Sequence, residues 1–253
     1  MKNFRGILLS VITLSVLLSA NFSVQAQQHF NLWLRGTVTC PVHDRLKIAA
    51  EIQHRRQNGS GNKNMFDKDL MYTFRTWIHY KYTDDITFSL SPFAYFSNYK
   101  IIQKQADEYE PPSHEIRFSL AATLKRALVE KINIFNRTAV EYRLFENNRD
   151  IMRLRTRLGL SYDFPKNVRM SIFNELFVNI ANAGKAHFFD HNRTGLNLEC
   201  KLFSAFRIDT GYMYIIRLPL FSATKIQENA LFLNLTYESK RIRTVKKHSL
   251  QKL

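Results

Sequence analysis

From Phe30 to Tyr237 apolar and polar residues alternate with a period of two, and helical periodicity is scarce. Phe30, Leu32, Leu34, Val38 and Cys40 share one face of the first segment; Asn31, Trp33, Arg35, Thr37 and Thr39 share the other. Leu46, Ile48, Ala50 and Ile52 then alternate with Lys47, Glu51 and Gln53. Leu70, Tyr72, Phe74, Ile78, Tyr80 and Tyr82 oppose Thr73, Arg75, His79 and Lys81. Ile86, Phe88, Leu90, Ala94 and Phe96 oppose Thr87, Ser89 and Ser91, and Ile116, Phe118, Leu120, Ala122 and Leu124 oppose Glu115, Arg117, Ser119, Thr123 and Lys125. The clearest case sets Met152, Leu154, Leu158, Leu160 and Tyr162 against Arg153, Arg155, Arg157 and Ser161. The pattern predicts further strands over 132–145, 168–179, 192–202, 207–216 and 230–237, eleven in all.

A row of three arginines on one strand face cannot enter an ordinary sandwich core without a large desolvation cost. The opposite face is continuously apolar, which is the arrangement of a strand with lipid on one side and water or countercharge on the other. Segments of about eight to fourteen residues bracket the nine to eleven that a tilted strand needs to cross a bilayer. Short connections at 41–44, 83–85, 165–167 and 204–205 alternate with long polar ones at 58–69, 98–114, 180–191 and 217–229. Tyr72, Tyr80, Tyr82, Tyr95, Tyr142, Tyr162, Phe164, Tyr212, Tyr214 and Tyr237 fall near strand ends, where interfacial girdles form. The expected fold is all-β: a transmembrane antiparallel up-and-down β-barrel. A soluble β-sandwich is the competing reading, since half-buried strands also alternate. Bacterial barrels have even strand numbers, so an apparent eleven requires an unseen strand or a partial first or last wall, and the expectation is ten to twelve.

The first 26 residues carry a second signal. Lys2 and Arg5 precede the apolar run 7–18, and the segment closes on Val24-Gln25-Ala26, the three zones of a cleaved signal peptide. The expected organisation is a signal peptide over 1–26, a barrel over 27–237 and a basic tail over 238–253. That implies the cell outer membrane of a Gram-negative envelope. The net charge of +16 falls to +14 without Lys2 and Arg5; the tail holds +5 and the body +9. An exported chain rarely meets nucleic acid, so the basic excess points to outer-membrane lipid and lipopolysaccharide, small anionic solutes or an acidic envelope complex. Cys40 and Cys200 sit in separate strand-like segments, and no disulfide is expected between them.

On the polar faces, Arg137, Glu141 and Arg143, then Arg153, Arg155 and Arg157, then Glu175, then Arg193, Glu199 and Lys201 form a charged cluster expected to face the lumen. It reads either as a basic constriction favouring anions or as an ion-pair network that fills a narrow barrel. His79 and Ser89 flank the 83–85 turn symmetrically, so a hairpin would set them side by side. That is the minimum for acyl transfer and the basis of a lipid hydrolase or acyltransferase alternative. His187, Asp190 and His191, with Glu175 nearby, are a weak metal candidate in an expected loop. Asp107, Glu108 and Glu110 could hold a hard cation loosely. No catalytic residue, metal site or cofactor is expected from any of these.

The segments Glu141-Tyr142-Arg143-Leu144, Arg153-Leu154-Arg155-Thr156-Arg157, Asn174-Glu175-Leu176-Phe177 and Asn192-Arg193-Thr194-Gly195-Leu196 resemble the bacterial family of unknown function numbered 2490. The resemblance spans essentially the whole chain after the signal peptide, with its specific part at 137–211. It implies an outer-membrane β-barrel of the kind common in Bacteroidetes-type bacteria, and it carries no assigned activity. The functional expectation is an outer-membrane barrel, either a narrow passive channel with a basic lumen or an accessory barrel docking to an envelope complex.

Overall fold

The computed structural model describes residues 28–240 apart from 166, 204 and 221–223. The segment expected to be a signal peptide and the basic tail beyond Lys240 lie outside the described residues. Twelve strands run in chain order: β1 (Gln28–His43), β2 (Leu46–Gln57), β3 (Lys68–Lys81), β4 (Ile86–Ser91), β5 (Ala94–Asn98), β6 (Ser113–Val129), β7 (Ile132–Phe145), β8 (Ile151–Phe164), β9 (Val168–Ala181), β10 (Phe189–Lys201), β11 (Phe206–Arg217) and β12 (Ile226–Glu238). β4 and β5 both pair with β3 on one side and β6 on the other, so they are two halves of one wall, and the barrel has eleven walls.

Eleven is odd, and the seam follows from that parity. In an up-and-down meander with an odd number of walls the first and last run the same way. β1 accordingly closes on β12 in parallel, in unbroken register from Gln28↔Gln227 to Thr39↔Glu238. Neither an extra strand nor a partial end wall is needed, and every other pairing is antiparallel. Short turns gather at one end and long loops at the other. The former include 44–45 and 130–131, the latter 58–67 and 99–112. Lys131 and Asn167 take positive φ in the short turns. Pro41 lies inside β1, so the first turn is shorter than the 41–44 expected.

The outer face is apolar. Ile52, Phe74, Leu90, Leu120, Ile172 and Leu233 are all exposed, while Glu141, Glu175 and Glu228 are buried. That inversion of inside and outside excludes the sandwich. Aromatic residues ring both ends: Tyr72, Tyr95 and Tyr142 toward the long loops; Tyr80, Tyr82, Tyr162, Phe164 and Tyr237 toward the short turns. No helix among the described residues is long and apolar enough to cross a membrane. Asn136, Thr138 and Thr156, and separately Asn174, Asn192 and Thr194, break the apolar face at mid-strand. Each set is joined by side-chain hydrogen bonds of 2.9–3.3 Å, which satisfy the polar atoms mutually.

Two departures from strict alternation change which residues face inward. At Pro92–Phe93 both side chains point outward, and the phase flips. Ala94 and Phe96, which the alternation groups with Ile86, Phe88 and Leu90, are instead buried inside against Met71. Pro92 cannot donate to the ladder, which makes this the natural place for the break. Between Phe189 and His191 the register also shifts, turning both Asp190 and His191 inward. Cys40 and Cys200 are free and lie on β1 and β10, which β11 and β12 separate.

Inside, three glycines sit opposite three phenylalanines on neighbouring strands: Gly159↔Phe135, Gly195↔Phe173 and Gly211↔Phe232. A Cβ on Gly159 would lie 2.4 Å from the Phe135 ring and 2.5 Å from the Ile172 carbonyl oxygen; on Gly211 it would lie 2.0 Å from the Leu196 carbonyl oxygen and 2.7 Å from Phe232. Each ring covers backbone that a side chain would otherwise occupy, the known pairing of aromatic residues with strand glycines. At the long-loop end, the loop after β5 is tied to the loop after β2. The Ser60 amide donates to Glu108 (2.7 Å), Lys68 pairs with Glu108 (3.0 Å), and Gln57 binds the backbone of Lys100 and Ile102.

Gly211→Ala should destabilise the barrel by ~1–3 kcal/mol through overpacking against backbone that cannot retreat, read as a lower temperature for loss of the compact band in detergent gels; Gly36→Ala, whose Cβ would meet only the Ile52 side chain at an ordinary 3.5 Å, serves as comparison. The Ser60 amide bond and Lys68 hold the Glu108 carboxyl below its ordinary value. Such a group stabilises fully above the ordinary carboxylate range and loses that contribution as pH falls through the lowered value. Exchange of the Ser60 amide, corrected for its intrinsic pH dependence, should therefore accelerate on acidification and stay slow at neutral pH.

Candidate functional site: an arginine-lined interior

Alternation alone sends Arg137, Ala139, Glu141 and Arg143 inward from β7 and Arg153, Arg155 and Arg157 inward from β8. Antiparallel register then sets Arg137 beside Arg157 and Glu141 beside Arg153. β9 supplies Glu175 opposite Arg157, and β10 supplies Arg193 opposite Glu175. Like charges placed side by side need countercharge nearby, and the carboxylates are shared to provide it.

Glu175, fully buried, is bonded by Arg155 Nε, by Arg157 Nη2 at 2.8 Å, and meets Arg193 Nη1 at 3.5 Å. Glu141 receives Arg153 Nε and Nη2 at 2.9 and 2.5 Å, with Arg117, Arg75 and Arg155 at 3.6–3.8 Å. Glu115 joins Arg117 (2.8 Å) to Arg143 (2.8 and 2.9 Å). Asp190 takes the other side of Arg153 at 2.5 Å, and Glu228 binds Arg217 (2.5 Å) and Asn31 (2.7 Å). Among the described residues, Arg55 and Arg137 form no ion pair with a carboxylate. Arg55 donates to Gln53 Oε1 (3.0 Å) and lies over Trp33 at 3.5 Å; Arg137 donates to Thr123 Oγ1 (3.1 Å) beside Trp77.

Two cavities flank this layer. One, of about 420 Å³, reaches the short-turn end and is lined by eleven basic side chains, among them Arg55, Arg75, Arg155, Arg157 and Arg193, and by only three acids, Glu51, Glu199 and Asp209. The other, of about 560 Å³, lies at the long-loop end beside Lys100, Arg143 and Asp190. Arg55 and Arg153 line both, so they stand in the septum between them.

Of the ten residues expected in the charged cluster, Arg153, Arg155, Arg157, Arg193 and Glu199 line the short-turn chamber. Glu141 and Glu175 lie buried behind it, Arg143 faces the long-loop cavity, and Arg137 is held beside Trp77. Lys201 lies exposed at the short-turn end of β10, on the same strand face as Arg193 and Glu199. Glu199 pairs with Arg169 and Arg207 near the short-turn mouth rather than with the β8 row. The cluster omits Arg75, Glu115 and Arg117, which alternation already turns inward. It also omits Arg55, Arg217 and Glu228, which lie where the strands run past the ends that alternation marks.

His79 and Ser89 are cross-strand neighbours, with Nδ1···Oγ 2.8 Å. Both face the interior, and no carboxylate hydrogen-bonds the histidine among the described residues. Asp190 and His191 are interior members of β10 rather than a solvated loop, and Asp190 is engaged by Arg153. No metal-holding group of residues occurs among the described residues. The acids expected to attract a hard cation are instead neutralised: Asp107 and Glu110 by Lys100 (2.9 and 2.5 Å), Glu108 by Lys68.

A closed β-barrel with an apolar exterior and an ion-paired interior has the pattern of a transmembrane β-barrel. The chain belongs to the family described as "Protein of unknown function (DUF2490)", whose model matches residues 30–218. No curated protein matches it. Solved structures similar to this chain include two porins. "NanC porin structure in rhombohedral crystal form" has 10% identity and TM-score 0.44, covering 79% of this chain and 94% of that one. An anion-selective porin from Comamonas acidovorans has 10% identity and TM-score 0.36, covering 77% and 53% respectively. The chain thus spans about half the length of the second.

Replacing Glu175 by Gln leaves Arg155, Arg157 and Arg193 facing one another without their shared countercharge. The loss should be ~3–5 kcal/mol, the range for breaking a buried pair, measured by urea unfolding in detergent. Glu238→Gln, which removes the half-exposed pair with Lys47, should cost less than ~1 kcal/mol.

Proposed function

We propose that this protein is an outer-membrane barrel that conducts or holds small anions through its basic interior, with the short turns on the periplasmic side. The membrane assignment is supported by the apolar exterior and the two aromatic girdles, and by the pattern of short turns at one end and long loops at the other. The observation that carries the anion reading is the imbalance in the short-turn chamber, where eleven lining bases face three lining acids and the buried Glu115, Glu141, Glu175 and Asp190 offset the excess only in part. A ring of fixed positive charge lowers the energy of an entering anion and repels cations. The arginines cannot discharge at any physiological pH, so the bias is permanent.

The septum sets the size of the pathway. Arg55 and Arg153 stand between the two vestibules, and side-chain movement there governs passage. A small unitary conductance follows, not the large one of an open porin.

Planar-bilayer recording of the purified protein tests this reading. Under a potassium chloride gradient the reversal potential should show anion preference, and Arg155→Glu should reduce or reverse it. Absence of discrete conductance, or a preference unchanged by Arg155→Glu, would count against a channel.

A further inference from the structure

We infer that the short-turn chamber is a binding site for a small organic anion that joins a phosphate-like or carboxylate group to an apolar body. The inference deepens the anion reading of the interior and rests on it only for the sign of the ligand's charge. It goes further in naming a built site with two unlike halves.

The first half is a set of arginines already fixed in place. Arg193 lies between Trp33 (4.9 Å) and Phe177 (4.5 Å), Arg157 over Phe173 (4.4 Å) and Arg117 over Phe96 (3.9 Å). Stacking on rings holds the guanidinium planes without using their in-plane donors. Arg155 and Arg157 share Glu175, yet their side chains stay 18% and 29% exposed and line the chamber; the Nε of Arg75 and of Arg193 has no acceptor among the described residues, but both atoms are themselves buried. The interior carboxylates are shared among several arginines, so positively charged donors remain for an outside acceptor. A bidentate acid group, carboxylate or phosphate, matches such forks.

The second half is apolar. Trp33, Phe173, Met213 and Phe232 form a buried cluster with Phe135 packed against it, and all five line the same chamber. This patch owes its form to the glycines: Gly159, Gly195 and Gly211 let the Phe135, Phe173 and Phe232 rings lie flat against the wall. A site meant only for inorganic ions has no need of an apolar wall beside its arginines. A chamber of about 420 Å³ falls within the size range of small-molecule pockets. Its mouth is at the short-turn end, and the septum closes it toward the long loops.

The chain's two tryptophans, Trp33 and Trp77, both stack with interior arginines, so their emission reports on the site. The refolded full chain in detergent would be titrated with phenylphosphonate, methylphosphonate and benzyl alcohol, by calorimetry and tryptophan emission. Phenylphosphonate should bind saturably and change the emission. Methylphosphonate should bind about tenfold more weakly, and benzyl alcohol not at all. Arg193→Gln should weaken phenylphosphonate by about tenfold or more, the loss of one charge-assisted hydrogen bond. Arg75→Gln serves if that variant does not give a compact barrel. No saturable binding, or affinity unchanged in both arginine variants that fold, overturns the site. Equal affinity for methylphosphonate overturns its apolar half. Binding without conductance sinks the channel and leaves the site standing; anion-selective conductance without saturable binding does the reverse.

Discussion

A strand facing hydrocarbon must find all its backbone hydrogen bonds on neighbouring strands, because lipid offers none. The other features of this barrel follow from that demand. The sheet has to close, and with eleven walls it can close only by running β1 alongside β12 in the same direction. Closure then fixes an interior that the chain must fill. The residues available to fill it are whatever alternation turns inward, and here arginines are prominent among them.

Burying that much positive charge is tolerable because a few carboxylates are placed where several arginines can reach each one. Glu175 serves arginines from β8 and β10, and Glu141 serves arginines from β3, β6 and β8. Ion pairs in a low-dielectric interior repay their desolvation only when geometry and further hydrogen bonds are good. The contacts at Glu115, where Arg143 donates twice and Arg117 once, show how that is met. Aromatic rings do the remaining work by supporting guanidinium planes that lack a carboxylate, as Trp33 does for Arg55. Charge that is supported but not neutralised is what the proposed anion site rests on.

The glycine–phenylalanine pairs connect wall geometry to the same chamber. Where an inward glycine leaves the sheet bare, a neighbouring ring folds over it, so the apolar side of the chamber is built from backbone constraint and not from an added element. The chamber's two halves thus arise from two different rules of strand packing. One spaces arginines at every second residue; the other pairs rings with glycines across a ladder.

The period of two was enough to read the barrel, its oily outside, the inward arginine rows of β8 and the pairing of His79 with Ser89. All of these depend on neighbours within a strand or across one tight turn, and a local pattern contains them. Alternation could not reveal the flip at Pro92–Phe93, which sends Ala94 and Phe96 inside. Nor could it reveal the bulge that brings Asp190 to Arg153, because one extra residue in a strand leaves no periodic trace beyond a shift in phase. The parallel seam, the septum and the sharing of Glu141 among three strands were decided by tertiary structure alone. Which side chains meet across a lumen depends on how the whole sheet curves and joins, and that is a property of the closed ring rather than of any segment in it.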